Sequence, residues 1–176
     1  MSGVKILVVC HKNTALLKSK ILLPIQVGTA LGKEKLENML ADDTGENISE
    51  KNPMYCELTA QYWAWKNLEA DYYGFFHYRR YLNFSDRKYK EDRWGNVRED
   101  ALSEAMKKKY ALSDDKIETL VRDYDLIISE EKNVVSMPGK AANVYEQYKY
   151  GDSLHIEDLE CISAIVKEKY PDYAED

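Results

Sequence analysis

The sequence predicts an α/β protein of three layers, in which helices cover a mostly parallel central sheet. Three short apolar runs have the length of single strands, and segments with helical spacing of their apolar residues lie between them. The runs are Val4–Cys10, Tyr72–Phe76 and Asp125–Ser129. Strands that alternate with helices in this way are typical of parallel sheets covered on both faces. The length of 176 residues predicts a single domain, 1–176.

The first part of the chain is predicted to hold two strands and a loop. Val4–Cys10 is continuously apolar and rich in β-branched residues, as in a strand buried on both faces. Ile21–Thr29 contains a second short strand, and Asp42–Ser49 is rich in turn residues and predicts a loop. His11 and Lys12 directly follow the first strand, where ligands of parallel sheets usually bind.

A helix is predicted to begin at Asn52–Pro53, because asparagine caps free backbone N–H groups and proline is tolerated at the first helical position. It should end near Ala70, before a buried strand at Tyr72–Phe76. Four apolar residues follow at helical spacing and predict one inward-facing stripe. They are Leu58, Tyr62, Trp65 and Leu68.

The second half of the chain is predicted to begin with a polar loop over Asn83–Asn96. Helical segments follow at Glu99–Tyr110 and Asp114–Arg122, and Asp125–Ser129 is predicted to form a buried strand. The last predicted element is an amphipathic helix over Glu157–Tyr170, which ends before a proline. Its inward side is predicted to be Leu159, Ile162, Ile165 and Val166.

The charge is acidic overall but unevenly distributed. A net charge of -6 argues against a general nucleic-acid binder, since phosphate contacts require a basic face. Arg79–Arg98 nevertheless carries seven Lys or Arg against three Asp or Glu. A local positive patch in an acidic protein fits a small phosphate-bearing ligand, and a solvated charged loop is the alternative. The 14 tyrosines suit a sugar or nucleoside pocket, or an aromatic-rich core.

The most informative segment is His77-Tyr-Arg-Arg-Tyr81, which directly follows a predicted buried strand. If that strand continues, alternation places His77, Arg79 and Tyr81 on one face and Tyr78 and Arg80 on the other. The segment therefore places two adjacent guanidinium groups at the end of a strand.

Two adjacent arginines are costly to bury without anions. The planar guanidinium of Arg79 or Arg80 matches pairs of phosphate oxygens, and a pyrophosphate carries enough charge to balance both. The alternative is that one of them pairs with Glu57 or Asp71. His77 either takes part by donating to phosphate or transferring a proton, or it is structural.

No metal ligand is predicted, although dependence on a divalent cation stays open. Asp123-Tyr-Asp125 has the Asp-x-Asp spelling of many glycosyltransferases, but it precedes a predicted strand and is interpreted as a solvated turn. The three cysteines lack CxxC spacing and are predicted to be buried thiols. No Gly-rich phosphate loop or nucleophile elbow is present. The absence of a leader or a long apolar run predicts a cytoplasmic protein, with peripheral association at the inner face of the membrane left open.

Several segments together resemble a bacterial family first catalogued as a domain of unknown function, whose members are commonly regarded as capsular or exopolysaccharide glycosyltransferases. The most specific segments are NISEKN at 47–52, YCELTAQYWAWKN at 55–67 and GFFHYRRYL at 74–82. VKILVVCHK, PIQVG, YDLIIS and HIEDLECISAIVKEKYPDY extend the resemblance over most of the chain. It implies a GT-A-like nucleotide-diphosphosugar transferase fold.

The resemblance also implies roles for individual residues. The donor-binding residues would be His11, Lys12, Asn47, Ser49, Lys51, Asn52 and Tyr78. The residues expected to take part in catalysis are His77, Arg79, Arg80 and Asp158. His155 would reach an acceptor sugar, although His155 and Asp158 equally fit an ordinary helix start.

The implied function is transfer of a sugar from a nucleotide-diphosphate donor, a UDP-hexose or UDP-hexofuranose, to a saccharide or lipid-linked saccharide acceptor. Members of the family continue beyond the PDY segment, so this chain is expected to hold the donor-binding part and to lack acceptor-side structure. The alternative function is a non-catalytic nucleotide-sugar-binding or assembly module of a polysaccharide synthesis complex.

Overall fold

The structure is a computed structural model that describes residues 3–32, 34–92, 94–132 and 142–174. These residues form two compact units. The first lies within Met1–Tyr89 and Arg98–Ser129, and the second lies within Lys90–Val97 and Glu130–Asp176.

The first unit is built on a parallel sheet. Its strands are β1 (Val4–Cys10), β2 (Leu22–Gln26), β3 (Leu40–Ala41) and β4 (Tyr72–His77), in the spatial order β3-β2-β1-β4. All three neighbouring pairs are parallel, with Ile6 opposite Leu22 on one side and opposite Gly74 on the other. The predicted α/β class with a mostly parallel sheet is therefore confirmed.

The helices of the first unit cover both faces of this sheet. They are α1 (Asn52–Tyr55), α2 (Leu58–Asn67), α3 (Glu104–Lys109) and α4 (Asp114–Leu120). One core cluster joins the α2 face to the sheet. It consists of Leu7, Val9, Ile25, Ala60, Trp63 and Ala64.

The opposite face of β1 carries Ile6, Val8 and Cys10, which are also buried. Asp114, at the start of α4, accepts hydrogen bonds from Ser19 Oγ at 2.6 Å and from the Lys20 backbone N–H at 2.8 Å. These bonds tie α4 to the segment between β1 and β2. The central strand is thus enclosed from both sides, as its continuous apolar run predicts.

The helix predicted from Asn52 is interrupted. The chain leaves helical geometry at Cys56, whose φ is 46° and ψ is -124°, and resumes as α2. Asn52 does not cap the helix, because its side-chain amide donates to the Cys56 carbonyl at 2.8 Å and to Thr59 Oγ1 at 3.2 Å. The side chain of Asn52 therefore bridges the break between the two helices.

The predicted inward face of this helix is wrong for Leu58 and Trp65, whereas Leu68 packs against the core cluster. Thr59, Ala60, Trp63 and Ala64 are the buried residues of α2. Trp65, predicted to face inward, is 71% exposed, and Leu58 is 51% exposed. Both the buried and the exposed stripe contain a tryptophan, so periodicity alone did not identify the correct face.

β4 is confirmed as a strand but is only partly buried. Tyr73 and Phe75 are exposed on one face of the sheet, whereas Phe76 is buried on the opposite face. The difference arises because β4 is the last strand in the described order, with β1 on one side only. Gly74 is required here, since a Cβ at this position would lie 2.8 Å from Ile6 Cγ1.

The segment Asp125–Ser129 does not form the predicted strand, and none of its residues pairs with the sheet. Leu126 and Ile128 are 74% and 72% exposed. The apolar composition suits a strand, but these residues have no covering layer within the described part of the chain. Composition indicates strand propensity and cannot supply a partner strand.

The second unit contains α5 (Val144–Tyr150) and α6 (Ile156–Lys169), which confirms the predicted C-terminal helix. Tyr145 donates from its hydroxyl to Glu160 Oε1 at 3.1 Å, which links the two helices. The predicted inward burial is wrong for Ile162 and Ile165, which are exposed.

The cysteines differ from expectation in part. Cys10 is buried, as predicted, and its burial raises the pKa of the thiol to about 11. Cys56 and Cys161 are exposed. All three are free thiols.

Candidate functional site

Four segments follow strands at the same edge of the sheet, and three of them hold residues predicted to face a ligand. Residues 11–13 follow β1, 27–32 follow β2, 42–51 follow β3 and 78–81 follow β4. Because every described strand pair is parallel, these segments leave from the carboxyl edge. Open parallel sheets usually bind ligands at that edge.

Tyr78 lies at the centre of this edge. Its side chain is buried, and its backbone N–H donates to the Val9 carbonyl at 3.1 Å, which holds it against the end of β1. The His11 ring meets the Tyr78 ring edge-on, with centroids 5.3 Å apart. Lys12 Nζ and Arg79 Cζ lie 5.7 Å and 5.1 Å from the Tyr78 ring centroid, within range of cation–π attraction.

The side chains around Tyr78 form one basic cluster. We define it as His11, Lys12, His77, Arg79 and Arg80. All except His77 are exposed, so their charged groups can reach a ligand from solvent. The structure thus brings together residues from two chain segments that are more than 60 positions apart in the sequence.

The chain turns immediately after His77 and does not extend the strand. The Arg80 backbone N–H donates to the His77 carbonyl at 2.8 Å, which closes a tight turn. The predicted alternation of faces through Tyr81 is therefore wrong. The turn places Arg79 and Arg80 at the surface, which removes the cost of burying two guanidinium groups in a strand.

His77 has contacts through both ring nitrogens. Its Nδ1 accepts the Arg79 backbone N–H at 3.3 Å, and its Nε2 lies 3.9 Å from Glu57 Oε1. Partial burial and the nearby Arg79 charge lower the pKa of His77, although Glu57 acts in the opposite direction. The ring is consequently neutral near pH 7. Asp71, the other acid considered as an arginine partner, accepts the Gly3 N–H at 2.8 Å.

The loop after β3 is organised by Asp42, which has no exposed surface. Its carboxylate accepts four hydrogen bonds at 2.6–3.0 Å. The donors are Gly28 N–H, Thr29 N–H, Ser49 Oγ and Thr59 Oγ1. Burial raises the pKa of this carboxyl, but the four hydrogen bonds outweigh burial and lower the pKa overall.

Ser49 supports the loop from within and does not face a donor as predicted. It is fully buried, donates to Asp42 at 2.6 Å and accepts the Ala30 N–H at 3.1 Å. Asn47 shapes the same loop, because its Oδ1 accepts the Ser49 N–H at 3.1 Å. Asn52 likewise directs its amide inward to Cys56 and Thr59.

A shallow depression of about 450 Å³ lies beside this loop. Asn47 and Lys51, two of the predicted donor-binding residues, line it. Its other lining residues are Ala30, Asp43, Ile48 and Glu50. The depression combines one cation with carboxylate and amide groups that can bind hydroxyl groups.

The Asp-x-Asp sequence lies at the opposite end of β4. Asp123 and Asp125 line a second depression of about 360 Å³ together with residues at the start of that strand. Among the residues that the structure describes, no group of three or more His, Cys, Asp or Glu is arranged to hold a metal ion. Asp123 and Asp125 thus lie near the start of β4, whereas the basic cluster lies beyond its end.

The residues predicted to act on the acceptor side, His155 and Asp158, belong to the second unit. His155 is the N-cap residue of α6 without a side-chain capping bond, and Asp158 lies in the first turn of that helix. This placement fits the alternative that both residues belong to an ordinary helix start. Within the described ranges, no helix is long and apolar enough to cross a membrane.

The sequence interpretation did not identify Asp42, and it mentioned Glu57 only as a partner for an arginine. The sequence held no local signal for Asp42, because the hydroxyl groups that donate to it, those of Ser49 and Thr59, lie 7 and 17 positions further along the chain. The contact of Glu57 with His77 could not be read from the sequence. It depends on the break at Cys56, which places Glu57 at the start of α2.

The fold agrees with comparisons to known proteins. The family model described as "Domain of unknown function (DUF4422)" matches residues 5–176. No curated protein matches the chain. A solved structure described as the apo structure of WbbM, a bifunctional glycosyltransferase, is 43% identical, with a TM-score of 0.89. The match covers 97% of this chain and 30% of the WbbM chain.

The chain is therefore an α/β protein with a GT-A-like fold, and it is similar to part of a solved glycosyltransferase. The chain belongs to the family described as domain of unknown function DUF4422. It spans about three-tenths of the length of the WbbM chain that it matches.

Proposed function

We propose that this protein binds the diphosphate of a nucleotide sugar at the basic cluster and takes part in glycosyl transfer. The observation that carries the proposal is the convergence of four basic side chains around Tyr78 at the carboxyl edge of a parallel sheet, with Arg80 in the same turn. A nucleoside diphosphate supplies negative charge in a compact form that matches this geometry. The WbbM likeness supports a glycosyltransferase over other enzymes that bind diphosphates.

The proposed chemistry is displacement at the anomeric carbon of the donor sugar. An acceptor hydroxyl oxygen forms the new bond to that carbon, and the bond from the carbon to the diphosphate oxygen breaks. Lys12, Arg79 and Arg80 stabilise the charge that develops on the departing diphosphate, and His77 donates a hydrogen bond. The hydroxyl proton passes to a base on the acceptor side.

The depression lined by Asn47 and Lys51 is proposed to hold another part of the donor. Its carboxylate and amide groups suit the hydroxyls of a ribose or hexose. Asp42 and Ser49 act indirectly by fixing the shape of this loop. The preferred donor is a UDP-hexose or UDP-hexofuranose, and the acceptor is a growing capsular or exopolysaccharide unit.

The test is calorimetric titration of the protein with UDP and with inorganic pyrophosphate. Replacing Arg79→Ala should weaken UDP binding by about 10- to 100-fold, because a charge-assisted hydrogen bond contributes about 1.5–3 kcal/mol. Arg122→Ala is the matched control, since Arg122 lines the depression at the opposite end of β4. Equal loss in both variants, or binding unaffected by either, would contradict the proposed site.

Turnover distinguishes transfer from simple binding. Incubation with UDP-, GDP- and dTDP-sugars should release nucleoside diphosphate from the preferred donor, slowly without an acceptor. UDP binding that depends on Arg79 but is accompanied by no release would instead favour the binding or assembly module. A chelator that abolishes release, with recovery on adding manganese, would show that a metal shares the charge stabilisation.

A further inference from the structure

His77 and Glu57 form an unassigned pair beside the basic cluster. His77 is opposite Val9 in the β1–β4 register, so its side chain lies on the sheet face that also carries Leu7 and the helix α2. Glu57 immediately precedes α2. The pair therefore connects the end of β4 to the start of the helix that packs on the same face.

The proton position on the neutral His77 ring follows from its backbone contact. A backbone N–H is always a donor, so Nδ1, which receives the Arg79 N–H at 3.3 Å, must act as the acceptor. In the neutral ring the proton consequently resides on Nε2. That Nε2–H lies on the side of the ring where Glu57 is found.

The separation between His77 Nε2 and Glu57 Oε1 is 3.9 Å, which is longer than a hydrogen bond. The attraction is therefore electrostatic and orients the ring without using its N–H in a short bond. Glu57 is half exposed, and its carboxylate can move when a ligand arrives. A phosphate oxygen can then accept the Nε2–H in its place.

We propose that Glu57 is a positioning residue: together with the Arg79 backbone N–H, it holds His77 as the Nε2–H tautomer, ready to donate to the diphosphate. This inference rests on the proposed function and deepens it. It assigns His77 as a hydrogen-bond donor and not as a general base, because the unprotonated nitrogen already accepts the Arg79 N–H.

The charge environment gives the pair a second property. Before a ligand binds, partial burial and the nearby cations keep His77 neutral, with Glu57 opposing them. A bound diphosphate adds negative charge and favours the imidazolium form, in which Nδ1 also carries a proton and no longer accepts the Arg79 N–H. Binding near the His77 midpoint should therefore be accompanied by proton uptake. The charged groups that act on His77 are Arg79, Glu57, Arg80 and His11.

The experiment is ¹⁵N NMR of the histidine rings in the full chain. Only three histidines are present, and the His77→Gln variant identifies the His77 signals. Neutral His77 should show the Nε2–H tautomer in the ligand-free protein. In Glu57→Gln its titration midpoint should move to lower pH, and the tautomer population should become mixed. Glu69→Gln, a change at an exposed acid after α2, should leave both unchanged.

Two ligand-free results would overturn the proposal. They are a neutral His77 in the Nδ1–H form, and a Glu57→Gln spectrum identical to that of the wild type. The tautomer population is the discriminating readout, because loss of the nearby Glu57 charge by itself would lower the midpoint without changing which ring nitrogen carries the proton.

Addition of UDP separates this inference from the proposed function. The His77 midpoint should rise on binding, and heats measured in buffers of different ionisation enthalpy should reveal proton uptake that is lost in His77→Gln. UDP binding without any change at His77 would overturn the donor role of His77. A failure of UDP to bind would overturn the proposed function, while the tautomer result would still report on Glu57.

Discussion

Asp42 shows how a single buried acid organises a ligand-facing loop. Gly28 and Thr29 donate backbone N–H groups to it, and Ser49 and Thr59 donate hydroxyl groups. These donors come from the segments after β2 and β3 and from α2. Among the residues that the structure describes, these four hydrogen bonds compensate the charge of the buried carboxylate.

Replacing Asp42→Asn should lower the free energy of unfolding by about 2–3 kcal/mol at pH 7. The amide lacks the charge, and its NH₂ group faces one backbone N–H and one hydroxyl group whichever oxygen it replaces. The hydroxyl group can turn to accept, but the backbone N–H is left unsatisfied. Urea denaturation measures the difference. Asp43→Asn is the matched control, because Asp43 pairs with the exposed Lys35 at 3.0 Å and its replacement should change stability by about 1 kcal/mol or less.

The difference between wild type and Asp42→Asn should depend on pH. Since the folded-state pKa of Asp42 is below its ordinary value, its contribution is complete above the unfolded-state pKa and is lost as pH falls through the folded-state pKa. The two stability curves should therefore converge in acid. A constant difference across the acid range would show that Asp42 is not the titrating group.

At the scale of elements, α2 has two aromatic sides with different roles. Trp63 is buried in the core and donates its indole N–H to the Thr44 carbonyl at 3.0 Å and to its hydroxyl at 2.9 Å. Trp65 lies at the surface, where it meets the Tyr62 ring edge-on and carries Lys66 Nζ 3.9 Å above its ring. The core of this element therefore depends on Trp63.

Replacement of each tryptophan by alanine tests this assignment. Trp63→Ala should cost about 3–5 kcal/mol, because it removes a large buried side chain and leaves a cavity. Trp65→Ala should cost about 1 kcal/mol or less, since it removes an exposed side chain. Thermal and urea unfolding measure both. The reverse order of costs would mean that the stripe predicted from periodicity is the buried one.

At the scale of the whole molecule, we expect the backbone amides to be protected unevenly from hydrogen exchange. β1 lies between β2 and β4 and is enclosed on both faces, whereas most of the residues of α6 are exposed. Local opening is easiest where few apolar contacts must break. Hydrogen exchange followed by mass spectrometry should therefore show β1 as the slowest segment and α6 as much faster. Equal protection of these two elements would contradict this expectation.

Much of the fold was predictable because its signals are local. The apolar run of β1, the Asn-Pro helix start and the strand before HYRRY all carry patterns that depend on neighbouring residues. Errors arose where the outcome depends on distant partners. Asp125–Ser129 has the composition of a strand but pairs with none in the described part of the chain, and α2 buries the side that meets Leu7 and Val9.

The candidate site shows the same division. The sequence alone indicates an anion site, because basic residues directly follow two of the strands predicted to form a parallel sheet. These residues are His11, Lys12, His77, Arg79 and Arg80. Their convergence on Tyr78 required the pairing of β1 with β4. Ser49 was assigned to the ligand face because the sequence does not reveal that Asp42 occupies its hydroxyl.

By itself, the sequence determined the α/β class, the positions of the principal strands and the cationic character of the segment after β4. Those properties follow from periodicity and composition, which act over a few residues. Tertiary structure alone decided which face of α2 is buried, that the chain turns after His77 and that Glu57 meets this ring. Each of these depends on contacts between segments far apart in the chain, and their energies exceed local preference.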